Sequence, residues 1–331
     1  MYKPGWKRDL HIRWATLIKH EGKILITERN CYLVCIDPKT GNLIWEFKIY
    51  NAYGWLTVYK GKVFYLGQDG VLKIIDFYSG KCIADYPFIF RYMGYVLVKD
   101  RYLLTGAWRG YTDFACYNLE SNFKLEWKKD TKSKEIKAYS IPIFYNDCVI
   151  LSDNSNQIIS SLDIKTGSEK WSLKLPDNIG SLDLDYTFQI DNGQVVVYSK
   201  CGKIYYLDEQ ELRWKSTVKH STGIETIKPK ILNSQYLFQD AANNICSYNK
   251  TENKLQWKIY SNHKQSLIPA IEIKDELTLI CLAMHRKMII NKVGEIIREL
   301  NSERRYASDL IEINEDVFYL TKSELKQLKL K

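Results

Sequence analysis

Residues 32–45 read YLVCIDPKTGNLIW, and residues 161–171 read SLDIKTGSEKW. In the first stretch an aliphatic run stops at Asp37, four residues turn, and a second apolar run carries Trp45. Asp37 can accept hydrogen bonds from the backbone of its own turn, and Gly41 can take the positive φ that closes a hairpin without a Cβ clash. Two β-rich runs around such a turn read as antiparallel strands.

The same Asp-x-x-x-Gly returns at Asp76 to Gly80 and at Asp163 to Gly167. Weaker forms start at Asn118, Asp208, Asn249 and Asn291, where the glycine is lost or the turn is shortened. From Asp37 onward the seven anchors are 39, 42, 45, 45, 41 and 42 residues apart. Trp6, Trp45, Trp127, Trp171, Trp214 and Trp257 keep nearly the same step, with Ala84 near the middle of the one double-length gap. A period of this size marks stacked units that cannot bury their apolar faces alone.

One unit contains four short strands, at 12–18, 23–28, 32–37 and 43–49. The tryptophan falls on the fourth. There its ring is expected to cover the neighbouring unit while the indole N–H finds a carbonyl. The chain ends complete the count. Residues 1–10 resemble a fourth strand with no first three before it, and 308–313, 317–321 and 325–330 supply three strands with no fourth. Strand pairing between the termini would remove open edges. The expectation is an all-β, eight-bladed β-propeller of four-stranded antiparallel blades. It forms a single domain over 1–331, closed by the N-terminal strand 1–10 completing the C-terminal blade at 308–331.

The two quoted stretches resemble the PQQ-like (quinoprotein) propeller repeat, which reads aliphatic-x-Asp-x-x-Thr-Gly-x-x-x-Trp and typically makes eight-bladed rings. WD-type repeats fit less well, because neither Gly-His nor Trp-Asp recurs. The resemblance implies a family of quinone-cofactor dehydrogenases and non-enzymatic scaffolds, among them an outer-membrane assembly lipoprotein. The dehydrogenases use adjacent cysteines, a calcium ion, an aspartate base and long insertions. Here no Cys-Cys pair occurs and about 41 residues serve each blade, so no catalytic residue carries over and the non-enzymatic branch is expected. The lipoprotein requires a lipidated cysteine near its start, whereas Cys31 falls inside a blade.

Composition supports a large packed core: 45% of residues are apolar and 13% aromatic. No apolar run reaches the roughly 18 residues of a spanning helix, and MYKPGWKRDLHIRW lacks a signal-peptide core, so a cytoplasmic protein without membrane partners is expected. Eight scattered cysteines with no CxxC read as free thiols. The net charge of +9 is a mild excess, and the dense stretch 128–137 mixes signs, which disfavours a nucleic-acid partner.

No catalytic pattern emerges. The five histidines show no HExxH or Cys/His ligand spacing, and neither GxSxG nor a phosphate-cradling glycine loop is present. Residues 153–156 (DNSN) lack the glycine and distal glutamate of a calcium loop. The expectation is therefore no enzyme, no cofactor and no metal.

What remains is loop surface. Connections between blades and those between second and third strands share one face around the central channel, where a rigid ring positions them. The candidates there are Arg91, Tyr92, Trp108, Arg109, Tyr111, His285, Arg286, Arg304, Arg305 and Tyr306, arginine and aromatic types that interface hot spots favour. Trp108 to Tyr111 also breaks the tryptophan rhythm. The leading expectation is a non-catalytic protein-binding scaffold, in its narrower form a bacterial immunity or accessory protein that occludes its partner, with an acidic partner suiting the charge. The competing readings are a sensor or enzyme holding a small ligand or quinone in the central funnel, and a basic nucleic-acid-binding propeller.

Overall fold

The computed structural model describes residues 2–10, 17–28, 31–50, 55–67, 69–87, 94–107, 114–129, 142–153, 158–174, 188–198, 203–209, 211–219, 230–240, 242–252, 254–260, 270–273, 277–282, 286–301, 310–321 and 323–330. Among them are eight four-stranded antiparallel sheets. Blade 1 holds β2 (Leu17–His20), β3 (Lys23–Glu28), β4 (Tyr32–Ile36) and β5 (Leu43–Lys48). Blade 2 holds β6 (Trp55–Tyr59), β7 (Lys62–Leu66), β8 (Val71–Asp76) and β9 (Cys82–Pro87). Blade 3 runs through β10 (Gly94–Lys99), β11 (Tyr102–Ala107), β12 (Phe114–Asn118) and β13 (Lys124–Lys129). Blade 4 comprises β14 (Ile143–Tyr145), β15 (Cys148–Asp153), β16 (Ile158–Asp163) and β17 (Glu169–Lys174). Blade 5 comprises β18 (Phe188–Asp191), β19 (Gln194–Tyr198), β20 (Lys203–Asp208) and β21 (Arg213–Lys219). Blade 6 contains β22 (Lys230–Ile231), β23 (Gln235–Gln239), β24 (Asn244–Asn249) and β25 (Lys254–Tyr260). Blade 7 contains β26 (Ala270–Ile273), β27 (Leu277–Leu282), β28 (Arg286–Ile290) and β29 (Ile296–Asn301). Blade 8 joins β30 (Leu310–Ile313), β31 (Asp316–Leu320) and β32 (Glu324–Leu330) to β1 (Tyr2–Asp9). The fold is an eight-bladed β-propeller, and the N-terminal strand completes the C-terminal blade as the sequence implied.

The chain gathers into two compact units, Met1–Lys48 with Thr217–Lys331, and Ile49–Ser216. In the first, Ile24, Val34, Phe318 and Leu325 pack blade 8 on blade 1, and Leu279, Ile289, Val317 and Leu328 pack blade 7 on blade 8. In the second, Phe64, Leu72, Val96 and Leu103 join blades 2 and 3, while Leu104, Cys116, Val149 and Leu162 join blades 3 and 4. The middle strands are covered on both faces. Hence β3 and β4 are buried almost throughout, whereas the edge strand β5 alternates. Each such aliphatic side chain contributes roughly 1.5–3 kcal/mol on burial.

The repeated turn shows why its residues recur. Asp37 Oδ1 accepts the Lys39 N–H at 2.8 Å, and Asp163 Oδ1 accepts those of Lys165 and Thr166 at 3.0 Å each. Gly41 and Gly167 have φ of 74° and 67°. A Cβ on Gly41 would lie 2.6 Å from Trp6 Cδ2, and one on Gly167 would lie 2.5 Å from Trp127 Cδ2. The glycine thus serves the turn and makes room for the preceding blade's tryptophan. A bulge in the fourth strand aims that ring, with register breaks at Cys35/Ile36 in blade 1, Cys116/Tyr117 in blade 3 and Ser247/Tyr248 in blade 6.

The indoles of Trp6 and Trp127 reach the expected carbonyls, Pro38 at 2.7 Å and Ile164 at 2.8 Å. Trp257 departs from the expectation: its Nε1 is buried with no hydrogen-bond partner among the described residues. It faces the shortened turn Asn291 to Gly294, where Gly294 N–H bonds Asn291 O at 3.1 Å. In blade 2 the tryptophan position is Ala84, paired with Ile74. There Tyr86 takes over the contact with blade 3, its ring 3.7 Å from that of Phe123, which stands in a turn without glycine.

In blades 2, 3 and 6 a second set of bonds ties two turns together at one end. The turn before the second strand offers a carbonyl to the turn after the third: Gly61 O to Phe77 N at 2.9 Å, Arg101 O to Leu119 N at 2.7 Å and Ser234 O to Lys250 N at 3.0 Å.

Candidate functional site

The opposite end of each blade carries the connections in which the candidate residues fall. Strands β9 and β10 flank Arg91 and Tyr92, β11 and β12 flank Trp108, Arg109 and Tyr111, β27 and β28 flank His285, and β29 and β30 flank Arg304, Arg305 and Tyr306. All nine lie outside the described residues. Arg286 opens β28, paired with Leu282 and Asn301, and its side chain is likewise outside.

Among described residues at that end, the turn of blade 6 holds a buried carboxylate. Asp240, 7% exposed, accepts the Asn244 N–H and side-chain N–H at 2.9 Å each. Lys258 from β25 approaches its other oxygen at 2.5 Å. Burial raises the Asp240 pKa, but the Lys258 ammonium and the Asn244 donors outweigh it and hold the carboxyl below its ordinary value. Cys246 Sγ lies 3.8 Å from the same carboxylate. Burial first, and then the Asp240 charge, push this thiol up to about 12, so it is protonated and poorly nucleophilic at neutral pH.

Behind this turn, Ser247 Oγ donates to Gln235 Oε1, and Gln235 Nε2 donates to Thr278 Oγ1 of blade 7 at 2.7 Å. In blade 8, Glu324 is held below its ordinary pKa by Lys326 and then Lys7, at 2.8 and 2.9 Å. These carboxylates are charged and internally paired. Their chemistry is structural, since a general acid or base needs a pKa near the working pH.

Six cysteines, Cys31, Cys35, Cys82, Cys116, Cys148 and Cys246, are free thiols. Burial pushes Cys35 to about 11 and Cys116 to about 12. Among the described residues, no group of three or more histidine, cysteine, aspartate or glutamate side chains is placed to hold a metal ion. No helix there is long and apolar enough to cross a membrane.

A cleft opens at the turn end of the second unit, with no counterpart in the sequence motifs. It has a volume of about 360 Å³ and draws its walls from Lys60 of blade 2, Arg101 and Glu120 of blade 3, and Asn146 and Lys165 of blade 4. These residues sit in short turns of ordinary composition, and only the packing of three blades brings them together.

No family model matches the chain, and no curated protein matches it by sequence. Solved structures do match. BamB from Moraxella catarrhalis superposes with a TM-score of 0.73 at 14% identity, covering 100% of this chain and 98% of that one. The quinohemoprotein alcohol dehydrogenase ADHIIG from Pseudomonas putida HK5 gives 0.69 at 12% identity, over 99% of this chain and 76% of that one. The computationally designed Ika8 protein gives 0.68 at 13% identity, covering 95% of each chain. At such identities the likeness establishes the propeller architecture.

Proposed function

We propose that this chain is a non-catalytic scaffold of the PQQ-like propeller kind. It holds a protein partner on the blade end formed by the connections between blades and between second and third strands. The observation that carries this reading is the near end-to-end match to BamB, set beside a dehydrogenase match that leaves about a quarter of the dehydrogenase without a counterpart. In this reading Trp108, Arg109 and Tyr111 form the centre of the contact, with Arg91, Tyr92, His285, Arg286, Arg304, Arg305 and Tyr306 around it. A rigid ring presenting aromatic and arginine side chains on loops suits hot-spot binding. The excess of 48 basic over 39 acidic residues suits an acidic partner, and a cytoplasmic immunity or accessory role is the narrower form.

A second reading is favoured by the likeness to two quinohemoprotein alcohol dehydrogenases, the other from Comamonas testosteroni. It places a quinone or other small ligand in the central funnel. Pull-down from native lysate compares wild type with a Trp108→Ala/Arg109→Ala variant. Scaffold binding predicts a specific partner lost in the variant, and an identical set of captured proteins sinks it. Appearance of a bound-quinone absorption band after incubation with quinone and calcium supports the second reading.

A further inference from the structure

We propose that the cleft between the turns of blades 2, 3 and 4 is a binding site for a small phosphorylated polyol of the hexose phosphate class. Several cations outside the cleft meet carboxylates: Lys73 meets Asp85 at 3.1 Å, Lys170 meets Asp163 at 3.3 Å and Lys326 meets Glu324 at 2.8 Å. In the cleft three cations have neutral groups as their direct partners, with the Glu120 and Glu126 charges acting on Arg101 from further off. Arg101 donates from Nε and Nη2 to the Tyr102 hydroxyl at 3.1 Å each, and its guanidinium stands 5.2 Å from that ring's centroid. Lys60 lies 5.2 Å from the centroid of the Tyr59 ring, and Lys99 Nζ donates to the Asn146 carbonyl. Lys165 bonds Asp163 only through its main-chain N–H among the described residues, which leaves its ammonium without a partner.

Neutral partners fix a cation's position without cancelling its charge. Three cations fixed in this way, with the Lys165 ammonium beside them, make a preformed receptor for an anion, and a phosphoryl group accepts from guanidinium and ammonium donors together. The same walls carry Asp100, Glu120 and Asp147. Carboxylates repel a second anionic group but accept hydrogen bonds from hydroxyls, which describes the rest of the ligand as a polyol. A volume of about 360 Å³ suits a molecule of that size.

The test is calorimetric titration of the full chain with glucose 6-phosphate, inorganic phosphate and glucose. Glucose 6-phosphate is expected to bind, inorganic phosphate more weakly, and glucose more weakly than glucose 6-phosphate. Arg101→Gln and Lys165→Gln should each weaken binding about tenfold or more. Lys39→Gln is the control: Lys39 follows Asp37 as Lys165 follows Asp163, outside the cleft, and its replacement should leave affinity unchanged. Both cleft residues project from turns, and an unaltered melting temperature confirms that the variants fold. Absence of glucose 6-phosphate binding, or equal affinity in wild type and both cleft variants, overturns the site. Equal affinity for inorganic phosphate overturns the polyol half of the assignment.

Discussion

The indole N–H of Trp6 donates to the main-chain oxygen of Pro38 at 2.7 Å, so a residue on the N-terminal strand closes on the turn of the first complete blade. The same carbonyl faces Gln327 Nε2 at 3.4 Å, and Gln327 in turn accepts the Trp6 N–H at 3.3 Å. Gln327 is 2% exposed and also donates to Asp316 at 2.6 Å, which links three strands and the neighbouring blade.

Deleting residues 1–10 removes this strand, uncovers β32 and takes Leu10 out of the core cluster between blades 8 and 1. The urea midpoint should fall sharply, because unpaired buried groups and lost apolar contacts add. The milder Trp6→Ala change should cost about 3 kcal/mol, the low end for a large aromatic that is only partly buried. A truncated chain that melts like wild type would rule out strand exchange as a source of stability.

The two tryptophans Trp127 and Trp257 are similarly buried, at 8% and 6% exposure, yet among the described residues only Trp127 has a partner for its indole N–H. Phenylalanine keeps most of the ring and deletes the donor. Trp127→Phe leaves the Ile164 carbonyl without that bond and should cost about 1–3 kcal/mol more than Trp257→Phe. Chemical denaturation of the two variants measures the difference. Equal costs would mean that the indole bond adds nothing.

Gly22 and Gly167 share nearly the same backbone, with φ of 68° and 67°. A Cβ on Gly22 meets nothing within 4 Å, whereas one on Gly167 meets the Trp127 ring. Gly22→Ala should cost about 1–2 kcal/mol, the left-handed penalty alone. Gly167→Ala should cost more, and the excess should disappear in a Trp127→Ala background. A double-mutant cycle reads that coupling directly.

The period, the blade count and the closure were legible because each rests on sequence-local chemistry: an Asp–Gly turn, a fixed step to tryptophan, and unmatched strands at the two ends. What joins blades was less legible. That Gly167 must yield to Trp127, or that Tyr86 and Phe123 jointly replace a lost tryptophan and glycine, depends on residues some 40 positions apart that only packing brings together. The bulge beside Trp45, Trp127 and Trp257 has no residue signature of its own. The cation cleft was invisible for the same reason, since Lys60, Arg101 and Lys165 are unremarkable turn residues until three blades align. The loop candidates around Trp108 rest on residue type and position in the meander, and they fall outside the described residues.

Asp240 offers a measurable pH signature. Its carboxyl lies below the ordinary value of 3.8 because Lys258 and Asn244 overcome the burial that opposes ionisation. A depressed folded-state pKa means that the stabilisation is present above the unfolded value and is lost as pH falls through the folded one. Asp240→Asn keeps the shape and removes the charge. At neutral pH it should therefore destabilise the protein by about 1.5–3 kcal/mol, the range for hydrogen bonds to charged groups. As pH drops below 3.8, wild type loses the same interaction by protonation and the two unfolding curves should converge. Raising salt should narrow the gap only partly, because the Asp240 side chain is 5% exposed while that of Lys258 is 47% exposed. A gap that stays constant across the acid range would show that the Asp240 charge does not stabilise the blade 6 turn.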